Sequence, residues 1–241
     1  MIEKANWGEL GQARARTTFV LLALGLAGCQ GFPGTAPVPP KGILAESAMP
    51  VVVGIPPAQT NQTRQLNVAL QIKKAGGDII HNMSLYPAST VVGVDLHHTQ
   101  VADADLTQLT VFPNLRSLNL YNTGISDAAL TNVAALHALQ TLHLGDTQIT
   151  DAGLIALEKM FDLHELGLTH THVTDRGMAS LAKMTNLNDL SLGGSQITDA
   201  GLKDLHGLTH LRKLVLVKTS VTKAGVQQLQ RAIPDVHVYF G

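Results

Sequence analysis

Aligned on the pattern LxxLxL, the chain from residue 91 onward falls into six units of 24 residues. They begin at Val91, Leu115, Leu139, Leu163, Leu187 and Leu211. Unit positions 1, 4, 6, 11, 16, 19 and 22 form seven columns of six, and all 42 positions are apolar. At an apolar content of 45%, chance would produce this with a probability of roughly 10⁻¹⁵. A fixed period of this length marks a solenoid, in which each unit buries its apolar side only against its neighbours.

The spacing inside a unit predicts its elements. Positions 4 and 6 alternate with polar neighbours, so Leu118 and Leu120 point inward from a short strand. Positions 16, 19 and 22, such as Leu154, Leu157 and Met160, line one face of a helix. Between strand and helix stands a recurrent Ser/Thr-Asp: Ser126-Asp127, Thr150-Asp151, Thr174-Asp175 and Thr198-Asp199. Either the hydroxyl or the carboxylate can cap the helix N-terminus. Gly153, Gly177, Gly201 and Gly225, two residues after that Asp or after Lys223, are expected to let the helix start lie close to its neighbour. Position 9 is Thr99, Thr123, Thr147, Thr171, Ser195 and Thr219, a hydroxyl column expected to satisfy buried turn groups.

The motif "T-x-[IV]-T-D-x-G-L" within a 24-residue LxxLxL frame resembles the short bacterial, ribonuclease-inhibitor-like leucine-rich repeat. The resemblance covers residues 91–240 and implies an α/β solenoid, with parallel strands on the concave face and helices on the convex face. It also implies protein–protein recognition. Position 9 departs from the asparagine common in that family. Val238 and Phe240 fall at positions 4 and 6 of a seventh, unfinished unit, which is read as a C-terminal cap strand. Residues 61–90 are read as an N-terminal cap: a helix over Gln62–Lys74 by the spacing of Leu66, Ala69 and Leu70, a stop at Gly76-Gly77, and a short strand over Asp78–His81.

Upstream the pattern changes character. Lys4, Arg14 and Arg16 precede an apolar run over 19–27, too short to cross a bilayer but suited to a signal-peptide h-region. The run ends in Leu26-Ala27-Gly28-Cys29, which resembles the bacterial lipobox. That resemblance implies a signal peptide over 1–28, cleavage before Cys29 and lipidation of its thiol, giving an exported, lipid-anchored protein of the cell envelope. Gln30 follows where an aspartate would signal inner-membrane retention, so in a cell with two membranes the outer one is favoured. Seven of the ten prolines lie between residues 33 and 57, and 29–60 is read as an extended tether.

Composition narrows the chemistry. The chain has one cysteine, which excludes a disulfide framework. Its formal charge is −1, becoming −2 once three basic and two acidic residues leave with the signal, which argues against nucleic-acid binding. His164-Glu165 with His170 lacks the i, i+4 helical spacing of a zinc-protease motif, and Gly193-Gly194-Ser195 is no nucleophile elbow. No catalytic, cofactor or metal site is therefore expected.

Positions 3, 5, 7 and 8 should face the concave side or its rim. Tyr121 with Arg116 is the candidate contact centre, Arg212, Lys213 and Lys218 a second, basic patch. Strands stack about 4.8 Å apart, so Asp146 and His170 should be neighbours, and His97, His143 and His170 could form a loose cluster. The reading is a monomeric, membrane-tethered interaction module that binds an unidentified protein through its concave face. A purely structural envelope spacer and a metal-binding protein using the concave-face histidines are the alternatives.

Overall fold

The computed structural model describes residues 57–82 and 90–241; the signal peptide, Cys29 and nearly all of the tether lie outside the described residues. Helix α1 (Pro57–Lys74) begins the described chain and is followed by β1 (Asp78–Asn82) and β2 (Thr90–Asp95). Each later coil contributes one short strand: β3 (Ser117–Asn119), β4 (Thr141–His143), β5 (Glu165–Gly167), β6 (Asp189–Ser191), β7 (Lys213–Leu216) and β8 (His237–Phe240). They form one open eight-stranded sheet in sequence order. All pairings from β2 to β8 are parallel and offset by 24 residues, whereas β1 pairs antiparallel to β2 with a bulge between Ile80 and His81.

The return segments are α2 (Asp127–Val133), α3 (Asp151–Leu157), α4 (Met178–Leu181), α5 (Asp199–Leu202) and α6 (Lys223–Ala232). Three stretches are 3₁₀: Asp103–Val111 in the first coil, Asp175–Gly177 before α4, and Asp204–Gly207 after α5. A repeat with inward positions at 16, 19 and 22 has a spacing of three, which a 3₁₀ turn meets as well as an α turn.

The apolar lattice is the core. Every one of its 42 positions is buried except Val221, which is partly buried, and Ala232, which is exposed. Ala232 corrects the frame. In coils one to five an i→i+3 bond joins position 22 to position 19, for example Met160 N to Leu157 O at 2.9 Å. In the last coil α6 is a full α-helix, and Ile233 N bonds Leu229 O across four residues at 2.8 Å, so Ile233 takes the inward place. Val238 and Phe240 pair with Leu214 and Leu216, as the seventh-unit frame requires.

The N-terminal cap also differs from the expectation. Helix α1 starts at Pro57, five residues early, with proline in the first turn where its missing N–H costs nothing. Its buried side is Val68 and Ile72, with Gln65 donating to Val111 O at 2.7 Å; Leu66 and Leu70 are 61% and 51% exposed. The stripe is thus rotated by about one residue from Leu66–Ala69–Leu70, because the first coil, not the helix's own hydrophobicity, decides which side is covered.

A ladder of hydrogen bonds locks the coils at the helix starts. The Asp127 carboxylate accepts from Thr150 N at 2.8 Å and Thr150 Oγ1 at 2.6 Å. The same double contact links Asp103 to Ser126, Asp151 to Thr174, Asp175 to Thr198 and Asp199 to Thr222. Each hydroxyl then accepts from its own helix, as Thr150 Oγ1 does from Ala152 N at 3.2 Å. The hydroxyl is therefore the cap, and the carboxylate serves the next coil. A Cβ on Gly153, Gly177, Gly201 or Gly225 would run into that carboxylate, which explains the glycine column.

Candidate recognition face

Each strand buries its central residue and half-exposes the two beside it, a pattern repeated from β3 to β6. Parallel register therefore lines up two outward columns. One runs Gly93, Ser117, Thr141, Glu165, Asp189, Lys213; the other Asp95, Asn119, His143, Gly167, Ser191, Val215. These side chains are chemically varied, whereas the lattice beneath them is almost uniformly aliphatic.

One rim of this face is set by the backbone. Position 8 of each unit has positive φ: His98 (58°), Asn122 (51°), Asp146 (53°), His170 (54°), Gly194 (70°) and Lys218 (60°). Asn, Asp, His and Gly tolerate this left-handed conformation best, so the turn selects much of the rim's chemistry. The position-9 hydroxyls close the same turn by donating three residues back, for example Thr171 Oγ1 to Leu168 O at 2.7 Å.

Neighbouring coils make contacts along the rim. His170 Nδ1 lies 3.1 Å from Asp146 Oδ1, and Asn122 Nδ2 lies 2.5 Å from His98 Nδ1. The Tyr121 ring meets His98 edge-on, with centroids 5.6 Å apart. A hydrogen bond to the Asp146 carboxylate, then burial and that group's negative charge, hold the Tyr121 phenol above its ordinary value. Glycines make room for these rings: added Cβ atoms would strike the Tyr121 ring at Gly145, His143 at Gly167 and His170 at Gly194. Each of these three glycines is thus a bed for a ring from the preceding coil.

The predicted contact residues separate into groups. Tyr121, Asp146 and His170 come together on one rim. Arg116 does not join Tyr121: the two stand at opposite ends of the extended segment through β3, five residues or roughly 16 Å apart. His143 sits in mid-face, 3.7 Å from Glu165. The three histidines do not cluster with one another, since His97 pairs with Asp95 at 2.6 Å and His170 with Asp146. Among the described residues no three His, Cys, Asp or Glu side chains converge on a point that could hold a metal ion.

The basic patch is largely compensated. Lys213 Nζ lies 2.8 Å from Asp189 Oδ2, and the Arg212 guanidinium donates to Thr209 O and stands 3.9 Å from Asp235. Lys218 is exposed on the rim. Beside the first column, an open hollow of about 440 Å³ is lined by Gln140, Thr141, His164, Glu165, Asn188 and Asp189. Sequence reasoning did not single out Gln140 or Asn188; both occupy position 2, whose place beside the hollow becomes visible only when the strands are in register.

Residues 135–157, 159–182 and 183–205 match the family model described as Leucine Rich repeat. The search of curated proteins finds no match. Among solved structures, the chain is similar to an internalin (InlF) of Listeria monocytogenes, with 24% identity and a TM-score of 0.50 over 59% of this chain and 39% of that one. It is also similar to a leucine-rich-repeat protein of Leptospira interrogans (21% identity, TM-score 0.49, 62% and 37% covered). A third is internalin C2 of Listeria monocytogenes (20%, 0.47, 72% and 92%). The match to the first two spans well under two thirds of their length. Repeat match, strand register and helix placement agree: residues 91–241 fold as an α/β leucine-rich-repeat solenoid.

Proposed function

We propose that this protein is an exported lipoprotein, anchored through Cys29, whose strand-lined face binds a protein partner in the cell envelope. The observation that carries the binding face is the contrast between its two sides. The inward columns are aliphatic and buried, while the outward columns present half-exposed polar side chains that vary from coil to coil on a backbone fixed by the Asp–Ser/Thr ladder. Rigid presentation of varied side chains lowers the ordering cost of binding. Leucine-rich-repeat proteins in general bind protein partners, which supports the same reading. The lipid anchor rests on the Leu26–Cys29 motif alone.

Two measurements test this. A photo-crosslinking residue at Asn119 or Ser191, on the strand face, should capture a partner in native envelopes, whereas one at Ala179, on the helix side, should not. Capture from Ala179 alone would overturn the assignment of the face. Cys29→Ser should move the protein from the membrane pellet to the soluble fraction, and retention in the pellet would refute lipid anchoring.

A further inference from the structure

All eleven histidines lie between residues 81 and 237, and five of them belong to one surface. His97, His98, His143, His164 and His170 stand on the strand face or its rims over β2–β5. Over the same coils the face carries three carboxylates, Asp95, Asp146 and Glu165, and one guanidinium, Arg116. Its charge is therefore −2 with neutral imidazoles and +3 with all five protonated. Imidazole is the side chain whose ordinary pKa, about 6.5, lies in the physiological range. The flanking groups do not change the sign. Asp189 of β6 is paired with Lys213 of β7, Asp78 of β1 with Lys73, and His81 of β1 would add to the positive form. Tyr121, hydrogen-bonded to Asp146, stays neutral throughout.

Geometry makes the reversal local. His97, His143 and His170 each stand beside a carboxylate, at 2.6, 3.7 and 3.1 Å, with their side chains 51%, 35% and 45% exposed. Protonation turns each contact into an ion pair, so the carboxylate no longer repels an approaching anion. Both nitrogens of a charged imidazole are donors. His97 and His170 hold their own carboxylate through Nδ1 and keep Nε2 for a ligand. At His98, the neutral ring accepts from Asn122 Nδ2; protonation makes that Nδ1 a donor and requires Asn122 to present Oδ1 instead.

We infer that the strand face over β2–β5 is an acid-gated surface, which repels an acidic polypeptide segment at neutral pH and binds it once His97, His98, His143, His164 and His170 are charged. This rests on the strand face being the binding face, as proposed above. The test uses fluorescein-labelled octa-aspartate and octa-lysine as probes, with the full chain at low ionic strength and anisotropy as the readout. Octa-aspartate should bind about tenfold or more tightly at about pH 5.5 than at about pH 7.5. The gain should disappear in His97→Gln/His143→Gln/His170→Gln, shown by circular dichroism to keep the fold. It should persist in His137→Gln/His172→Gln/His210→Gln, which removes the same charge away from the strands. Equal gains in both variants would show a non-local charge effect and overturn the proposal, as would no gain in the native chain or preferential binding of octa-lysine in acid. Partner crosslinking from Asn119 at neutral pH would survive such a failure, so the two readings fall separately.

Discussion

At the residue scale, an aspartate in each of coils two to five does two jobs, and a glycine of the following coil lies against it. Asp151 accepts from Thr174 N and Oγ1, and Gly177 lies against the same carboxylate, where a Cβ would come within 2.6 Å of Asp151 Oδ1. Gly177→Ala should therefore destabilise the fold by about 1–3 kcal/mol, although alanine is the better helix former by about 1 kcal/mol. Gly124→Ala, with nothing near the new Cβ, should be neutral or stabilising by about 0.5 kcal/mol. Urea unfolding of the two variants decides this, and equal effects would contradict the role given to the carboxylate. Asp199 extends the argument to pH. The Thr222 hydroxyl, followed by the Thr222 amide, holds its carboxyl below the ordinary range, so folding favours the charged form. That contribution is complete above the unfolded-state pKa of about 3.9 and is lost as pH falls through the lower folded value. Asp199→Asn offers one acceptor oxygen where two are used, and should cost about 1–3 kcal/mol at neutral pH. The variant should then lose less stability than the native chain between about pH 5 and pH 2, a comparison that urea midpoints at the two pH values provide.

At the element scale, the inward spacing and the helix type constrain each other. Positions 16, 19 and 22 were legible as a buried stripe, but a spacing of three does not distinguish an α turn from a 3₁₀ turn. The molecule uses both, with 3₁₀ alone over Asp103–Val111 and a full α-helix over Lys223–Ala232. Where the helix is fully α, the 3.6-residue period shifts the last inward place from Ala232 to Ile233. Helix α1 gives the corresponding lesson for the cap. Its sequence offers two apolar stripes, and only packing against the first coil selects Val68 and Ile72 over Leu66 and Leu70. Ile72→Ala should accordingly lower stability by about 2–4 kcal/mol, and Leu66→Ser by less than about 0.5 kcal/mol. Thermal unfolding of these two variants would expose an error in the cap if Leu66→Ser proved the more damaging.

For the whole molecule, the ends differ in kind. Antiparallel β1 and helix α1 cover the first coil, whereas among the described residues β8 pairs with β7 alone, and Tyr239 and Phe240 are 51% and 39% exposed. In a stack held by nearest-neighbour contacts, the coils flanked on both sides open last. Amide hydrogen exchange should therefore be slowest at Leu118, Leu142, Leu166 and Leu190 and should quicken through Leu214 to Val238. Uniform protection along the stack would mean that the solenoid unfolds only as one unit.

The 24-residue lattice, the strand and helix placement and the hydroxyl column followed from sequence because each depends on periodic burial or on hydrogen bonds within a few residues. Even the ring-over-glycine beds are written there, as Tyr121/Gly145 and His143/Gly167 at 24-residue spacing, although their meaning needs the register. The rest depended on distances between coils. Only parallel stacking made Asp127 a partner of Thr150, set His143 beside Glu165 and neutralised Lys213 with Asp189. A one-dimensional pattern fixes which side of an element is buried. It leaves to the tertiary structure which charges meet across the 4.8 Å between coils, and those meetings decide what the face can recognise.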